Sequence, residues 1–574
     1  MKKDTQMPWY RSTLVLAGLS AGLLWAALPP LGNWLWPLAW IAPVGWVLLV
    51  RSPELPGRRP YAALWLVGFL FWMAALHWLR LPHPATSIGW VALSFYFSFY
   101  LPAFVALSRV AVHRVGMSVV VAAPIAWTGL ELLRGHLLGG MTMASLGHTQ
   151  YLFPPILQVC DLAGAYGLSF LIMLVAACLG RAMPWAGQPC DAQPRTGQPW
   201  AVWPLAIGVA AVGCSLGYGG WRMANAPEAA ERPLRVAIVQ GSIDTELTAD
   251  PRVRVRTHDH YVKLTAEAVR RHSNLDLILW PETVFRDPLL THEPGALPPE
   301  YLVEQGVTQA EFEQWLREEV PETLPEMTRL AMRFNAPMIL GIEQYHYTPA
   351  GPRRFNSAAL VTANGVMTRP VYAKMHPVMF GEYIPLADRF PLLQRMTPLA
   401  SNLSAGDRPV AFTLNGWTLA PSICYESVLP HLIGRQLRAL AAEGREADIL
   451  VNLTNDGWFW GSSQLDMHLA CGVFRAVEFR KPLLIAANTG FSAWIDGDGR
   501  LRNRGRRRNT DILLAEVSPD PRRSLYLRHG DWFAGSCLAL CVLLAIFGLF
   551  GPYLSRIVRV KRLAVAGQGD HQTG

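Results

Sequence analysis

The stretch Trp417-Thr418-Leu419-Ala420-Pro421-Ser422-Ile423-Cys424-Tyr425-Glu426 reads as an apolar strand that stops on a cysteine. Two other fragments stand at comparable places. Leu279-Trp280-Pro281-Glu282 closes a β-rich run at 275–280, where Pro281 stops the strand and leaves Glu282 in the turn beyond. Tyr372-Ala373-Lys374-Met375-His376 comes shortly after the run 357–362. In α/β sheets, strand ends are where sites form. A thiol, a carboxylate and an amine at three strand ends can therefore assemble one active site.

Charge assigns the work. Only a thiolate attacks well, and a free thiol has a pKa of about 8.5. Glu282 can take the Cys424 proton as general base and return it to a leaving group. Lys374 can stabilise the thiolate and then a tetrahedral oxyanion, with the backbone N–H of Tyr425 as second donor. Attack on an ester or amide then yields a thioester. Taken singly, each residue has a plainer reading: the cysteine as a small core residue, the glutamate and lysine as solvated side chains. It is the joint occurrence that points to catalysis.

Around these fragments, short β-rich runs alternate with helical stretches. The runs are 234–240, 275–280, 337–341, 357–362, 410–414, 417–423, 448–453, 483–488, 492–495 and 512–517. Helices read at about 252–272, 308–334, 431–443 and 466–480, the second opening on Thr308-Gln309-Ala310-Glu311, a capping box. This mixture implies a layered α/β domain. The proline-bearing stretch 284–307 reads as an inserted surface loop.

The rest of the chain is apolar. Only 16% of the 574 residues are charged, against about 25% in soluble proteins. Uncharged runs lie at 13–28, 34–50, 61–79, 88–108, 116–130, 162–180, 200–218 and 533–554, each near the length of a membrane span. This predicts seven spans before the polar domain and one after it. The domains follow: 1–218 membrane, 219–532 catalytic, 533–574 a final span and basic tail. Lys2, Lys3 and Arg11 would suit a signal peptide, but the apolar stretch runs directly into a second span, so an uncleaved first helix is expected.

Arginine and lysine set the orientation. They gather at the N-terminus, at Arg51, Arg58 and Arg59, at Arg109 and Arg114, at Arg181 and Arg195, and in the tail at Arg556, Arg559, Lys561 and Arg562. Both termini are then cytoplasmic and 219–532 lies outside, in the periplasm of a two-membrane bacterium. The net charge of +9 is thereby a topology signal and not a sign of nucleic-acid binding. The uncharged, glycine-rich loop 135–160 is either a plain connector or a re-entrant loop that shapes a lipid-facing pocket.

Six of the eight cysteines (Cys160, Cys178, Cys190, Cys214, Cys537, Cys541) lie in or near apolar segments, and only Cys424 and Cys471 in the polar stretch. That excludes a disulfide scaffold. His258-Asp259-His260 hints at metal spacing, but i and i+2 diverge on a helix. Arg475 and Glu478 read as a structural pair, and Trp458 and Trp460 as core or membrane-facing. There is no P-loop, dinucleotide fingerprint or zinc spacing, so no cofactor or metal is expected.

Taken together, the motifs resemble the apolipoprotein N-acyltransferases, the membrane branch of the nitrilase (carbon–nitrogen hydrolase) superfamily. Trp280-Pro281-Glu282, Lys374 within Tyr372–His376, and Cys424-Tyr425-Glu426 match the superfamily's three motifs. Phe380-Gly381-Glu382-Tyr383-Ile384-Pro385 resembles the segment after the lysine, which carries a second functional glutamate over to Glu382. Asn452 to Phe459, Asn488-Thr489-Gly490, Trp127 to Glu131 and Arg134 also resemble family segments. Departures occur at Pro377 and Met379, at Met141-Thr142-Met143, and near Ala249.

The resemblance implies an α-β-β-α sandwich with a Glu–Lys–Cys triad beside a multispan helical domain in the bacterial inner membrane. It implies a monomer that moves an acyl chain from a phospholipid, through a Cys424 thioester, to the α-amino group of a lipidated N-terminal cysteine on an apolipoprotein. Glu382, Tyr425 and Glu426 would support the triad. Two rivals share part of the pattern: a membrane-anchored amidase, and an inactive membrane scaffold.

Overall fold

A computed structural model describes residues 12–185, 201–245, 251–385, 389 and 402–569. Lys2, Lys3, Arg11, Cys190, Arg195 and Ala249 lie outside the described residues.

Among the described residues, all eight apolar runs are helical, at different lengths. Five helical segments among the described residues are long and apolar enough to cross a membrane: Gly32–Arg51, Thr86–His113, Cys160–Ala182, Val202–Ala224 and Trp532–Phe550. Thr13–Ala27 and Pro60–Ala75 are apolar but shorter, and Val119–His136 carries Glu131 and Arg134 in its second half. The helices differ in length because a charge-free run reports apolarity, whereas capping decides where the helix stops. Ser12, for example, caps the first helix by accepting from Val15 N, and Leu28 already leaves helical geometry.

Among the described residues, the polar region holds thirteen strands. They are β1 Leu234–Gln240, β2 Leu277–Leu279, β3 Leu289–His292, β4 Met338–Thr348, β5 Gly351–Val361, β6 Tyr372–Ala373, β7 Phe412–Leu414, β8 Trp417–Ile423, β9 Ile449–Thr454, β10 Leu483–Ala487, β11 Ala493–Ile495, β12 Leu501–Arg504 and β13 Asp511–Val517. One sheet runs β13-β1-β2-β4-β5-β6, with β3 also paired to β4; the other runs β12-β11-β10-β9-β8-β7. Leu234, Ile238, Leu279 and Leu360 of the first sheet pack against Leu419, Ile423, Val451 and Leu484 of the second, forming a buried layer between them. The outer face of the first sheet is covered by helices 251–271 and 309–334. The outer face of the second is covered by helices 430–442 and 464–479, in a core continuous with the membrane helices. The result is an α-β-β-α sandwich whose second helical layer is shared with the membrane domain.

Two expectations change. The stretch 284–307 is not merely a loop. Its residues Leu289–His292 form β3, pairing parallel to Gln344–Tyr347 of β4, and Glu300–Glu304 is helical. The 135–160 loop is no plain connector: residues 140–151 are buried and bonded to the outer domain.

Candidate active site

The three strand ends meet. Trp280, fully buried after β2, donates Nε1–H to Thr265 Oγ1 at 2.9 Å and fixes the turn that presents Glu282. Glu282 Oε1 accepts from Asn356 Nδ2 at 2.6 Å, and Oε2 from the Asn455 backbone N–H at 2.9 Å. Lys374, just past β6, is 1% exposed; its Nζ lies 3.5 Å from Glu282 Oε1 and donates to Glu382 Oε1 at 2.7 Å. Glu382 is in turn held by the Val378 N–H at 2.7 Å. One ammonium therefore bridges two carboxylates away from water, where a charge persists only if paired.

Cys424 stands where β8 gives way to a short 3-10 turn, with φ +50°. Thr283 (+48°) and Phe380 (+59°), beside the other two motifs, are also left-handed. Such conformations cost a non-glycine residue about 1–3 kcal/mol and persist only where neighbours over-determine them. Here they sharpen each strand-to-loop turn.

The electrostatics follow from burial. It pushes the Cys424 thiol well above its ordinary value; Glu282 adds to this and Lys374 opposes it. It raises Glu282 as well, against the pull of Lys374. Burial works against the Lys374 charge, yet Glu382 and Glu282 override it and hold the ammonium protonated above the usual range. A thiol beside a carboxylate and a fixed ammonium is a combination that can carry proton transfer and nucleophilic attack.

Glu426 and Tyr425 lie further back. Glu426 is fully buried and accepts from Ile423 N (2.6 Å), Met375 N (2.7 Å), His376 N (3.1 Å) and Tyr372 Oη (2.7 Å). It staples the lysine loop to the cysteine strand. Tyr425 Oη donates to Gly140 O at 2.8 Å, and Thr142 Oγ1 donates to Val428 O at 2.5 Å. His376 Nε2 lies 3.1 Å from Gly139 O. The glycine-rich membrane-side loop is thus bonded to both the cysteine turn and the lysine loop. Asn356, Asn455 and Tyr372 were not singled out from sequence. Tyr372 and Asn455 stood inside quoted motifs, whereas Asn356 carried no local signal.

The remaining expectations sort plainly. His258 packs against Trp280 and Phe285, while His260 Nε2 lies 3.2 Å from Gly241 O, so the pair diverges. Arg475 and Glu478 are a buried pair at 2.7 Å. Trp460 is exposed. Among the described residues, His136, His431 and Asp531 come within 4.8 Å of one another. The two imidazoles stack at 4.1 Å and 26°, however, so their planes do not converge on one ligand position.

The two sheets, their helical layers and the cysteine turn define a carbon–nitrogen hydrolase domain carried on apolar helices. The carbon–nitrogen hydrolase family model matches residues 235–525, and that of the apolipoprotein N-acyltransferase N-terminal domain matches 20–178. An apolipoprotein N-acyltransferase of Geobacter metallireducens is 30% identical over 541 residues, covering 92% of this chain and 94% of that protein. Another, of Rhodopirellula baltica, is 29% identical over 551 residues, covering 90% and 93%. The chain belongs to the apolipoprotein N-acyltransferase family. Among solved structures, an amidase from Nesterenkonia sp. aligns with 53% of this chain and 95% of its own, at 18% identity and a TM-score of 0.34. Saccharomyces cerevisiae Nit3, a member of the nitrilase superfamily, aligns with 53% and 96%, at 15% and 0.36.

Proposed function

We propose that the protein transfers an acyl chain from a phospholipid to the α-amino group of an apolipoprotein's N-terminal diacylglyceryl-cysteine, with Cys424 as nucleophile, Glu282 as general base and acid, and Lys374 as oxyanion stabiliser. The observation that carries this is the buried ammonium of Lys374 between Glu282 and Glu382, beside a cysteine turn bonded to the membrane-side loop.

In the first step Glu282 takes the Cys424 proton, and the thiolate attacks the ester carbonyl of the phospholipid. Lys374 and the Tyr425 N–H stabilise the oxyanion. On collapse the lysophospholipid oxygen leaves with the proton from Glu282, and a thioester remains. In the second step the acceptor amine attacks that thioester and gives a proton to Glu282. An amide forms and the Cys424 sulfur is released. Burial that raises Glu282 favours both directions of proton transfer, because a base works best with a pKa near the working pH. The amidase reading leaves the link between the cysteine turn and the membrane-side loop without a purpose.

Residues 1–218 form the membrane domain, 219–532 the catalytic domain outside the cytoplasm, and 533–574 the last helix and cytoplasmic tail of an inner-membrane protein. The alternation of arginine-rich and arginine-poor loops supports this orientation.

The test is mass spectrometry of the purified protein after incubation with phospholipid. A hydroxylamine-labile acyl adduct on the Cys424 peptide, absent in Glu282→Ala, is expected. An adduct on another residue overturns the mechanism.

A further inference from the structure

Three side chains lie within hydrogen-bond distance of the backbone carbonyl of Cys424. Ser427 Oγ lies at 3.1 Å, Asn452 Nδ2 at 3.3 Å and His468 Nε2 at 3.2 Å. The other nitrogen of His468, Nδ1, lies 3.0 and 3.2 Å from the two carboxylate oxygens of Asp456. A carbonyl and a carboxylate only accept, so each imidazole nitrogen must carry a proton to bond. Ser427, 2.9 Å from Nε2, is consistent with this, because its own O–H is directed to the Cys424 carbonyl. A neutral ring protonated on Nδ1 would turn the Nε2 lone pair on the Cys424 carbonyl, and would be satisfied only if Ser427 swung its hydroxyl from that carbonyl to Nε2, in a site where His468 is 4% and Asp456 2% exposed.

We infer that His468 is held as an imidazolium by Asp456 and is a positioning residue for Cys424. Its Nε2–H helps to pin the left-handed backbone of the cysteine, and its charge cancels that of Asp456 at the thiol. The inference rests on the reading of Cys424 as nucleophile. Burial opposes charge on His468, but Asp456 outweighs it and holds the imidazole above its ordinary range. Asp456 by itself acts to raise the Cys424 thiol. The other charged groups nearby are Glu282, which also favours the imidazolium; Lys374 and Glu382, which act on the thiol with opposite signs; and Arg475, which donates to Ser427 O and Val428 O and is paired with Glu478.

The experiment follows iodoacetamide alkylation of the Cys424 peptide in the full chain in detergent micelles, without acyl donor, from about pH 6 to about pH 11. In His468→Gln the Asp456 carboxylate keeps its hydrogen bond from Gln464 but loses its counter-charge, and the midpoint rises by about one pH unit, with about ten-fold slower alkylation at neutral pH. In Asp456→Asn the imidazole loses its proton together with its partner, and the midpoint stays near that of the parent. A neutral His468 predicts the reverse: no shift in His468→Gln and a fall in Asp456→Asn. Either of those two results overturns the inference, and either variant suffices if the other does not fold. A merely structural role would lower the plateau rate without moving the midpoint. Failure of the underlying reading shows separately, as acyl transfer retained by Cys424→Ala.

Discussion

At the residue scale the site depends on one buried cation. Replacing Lys374 with methionine leaves Glu282 and Glu382 without their shared partner. Removing one member of a buried charge cluster typically costs about 3–5 kcal/mol, so Lys374→Met is expected to lower the thermal midpoint clearly and abolish the acyl adduct. Differential scanning of the purified variant, with the adduct assay, checks both. Glu282 sets a pH dependence whose sign follows from its environment. Burial raises its folded value, and in the proposed mechanism the ionised form is the base. Activity therefore falls as the pH drops through a value above the ordinary carboxylate pKa of about 4.3. The acid limb of kcat/KM is expected there, and Glu282→Gln should remove activity across the whole profile. Three of the residues involved were legible in sequence because each sits in a strand-end motif. Asn356, 74 positions from Glu282, was not, because its role is set by where β5 lies and not by its neighbours in the chain.

Elements carry the next level. Most strands were legible from runs of apolar and β-branched residues, and Leu234–Gln240 and Trp417–Ile423 begin and end where the sequence suggested. The Thr308 capping box is present as read, with Glu311 answering it. β3, β6 and β12 were missed because they are two to four residues long and take their order from partners already in place. The short turn after β8 depends on Glu426. Glu426→Gln keeps the volume but replaces one acceptor oxygen with a donor facing backbone N–H groups. A loss of about 1–3 kcal/mol is expected, the cost of a buried unsatisfied group, visible in denaturant unfolding. The membrane-side loop gives a graded pair. Tyr425→Phe removes one bond to Gly140 and should cost about 1 kcal/mol. Gly140→Ala should be far worse, because its φ is +75° and a Cβ would sit 2.1 Å from Gly135 O. Comparing the yield and melting of the two variants checks the order.

Across the whole molecule, the outer domain and the membrane helices meet through buried charge. Arg480 joins Asp161 of helix 160–182 at 2.6 Å to Asp498 at 3.3 Å and to Gln158 at 2.6 Å. Glu478 accepts from the Ala165 N–H at 2.8 Å, next to the positive-φ Gly164 that breaks that helix. Arg480→Met removes one of two arginines from each aspartate, Asp161 keeping Arg222 and Asp498 keeping Arg522 at 2.7 Å, so the cost should fall below the about 3–5 kcal/mol of a fully orphaned buried charge. Limited proteolysis should show the two parts separating before either unfolds.

The chain alone determined what depends on neighbours within a few residues: which segments are apolar helices, which are the longer strands, and which three motifs carry a thiol, an amine and a carboxylate. Tertiary structure decided what joins positions far apart in the chain. It bonded Tyr425 to Gly140, His468 to the Cys424 carbonyl and Arg480 to Asp161. The reason is physical. Periodicity and capping are local energies that a sequence displays openly, whereas a buried polar group accepts whichever partner the packing brings within about 3 Å, and that is settled only when the layers close.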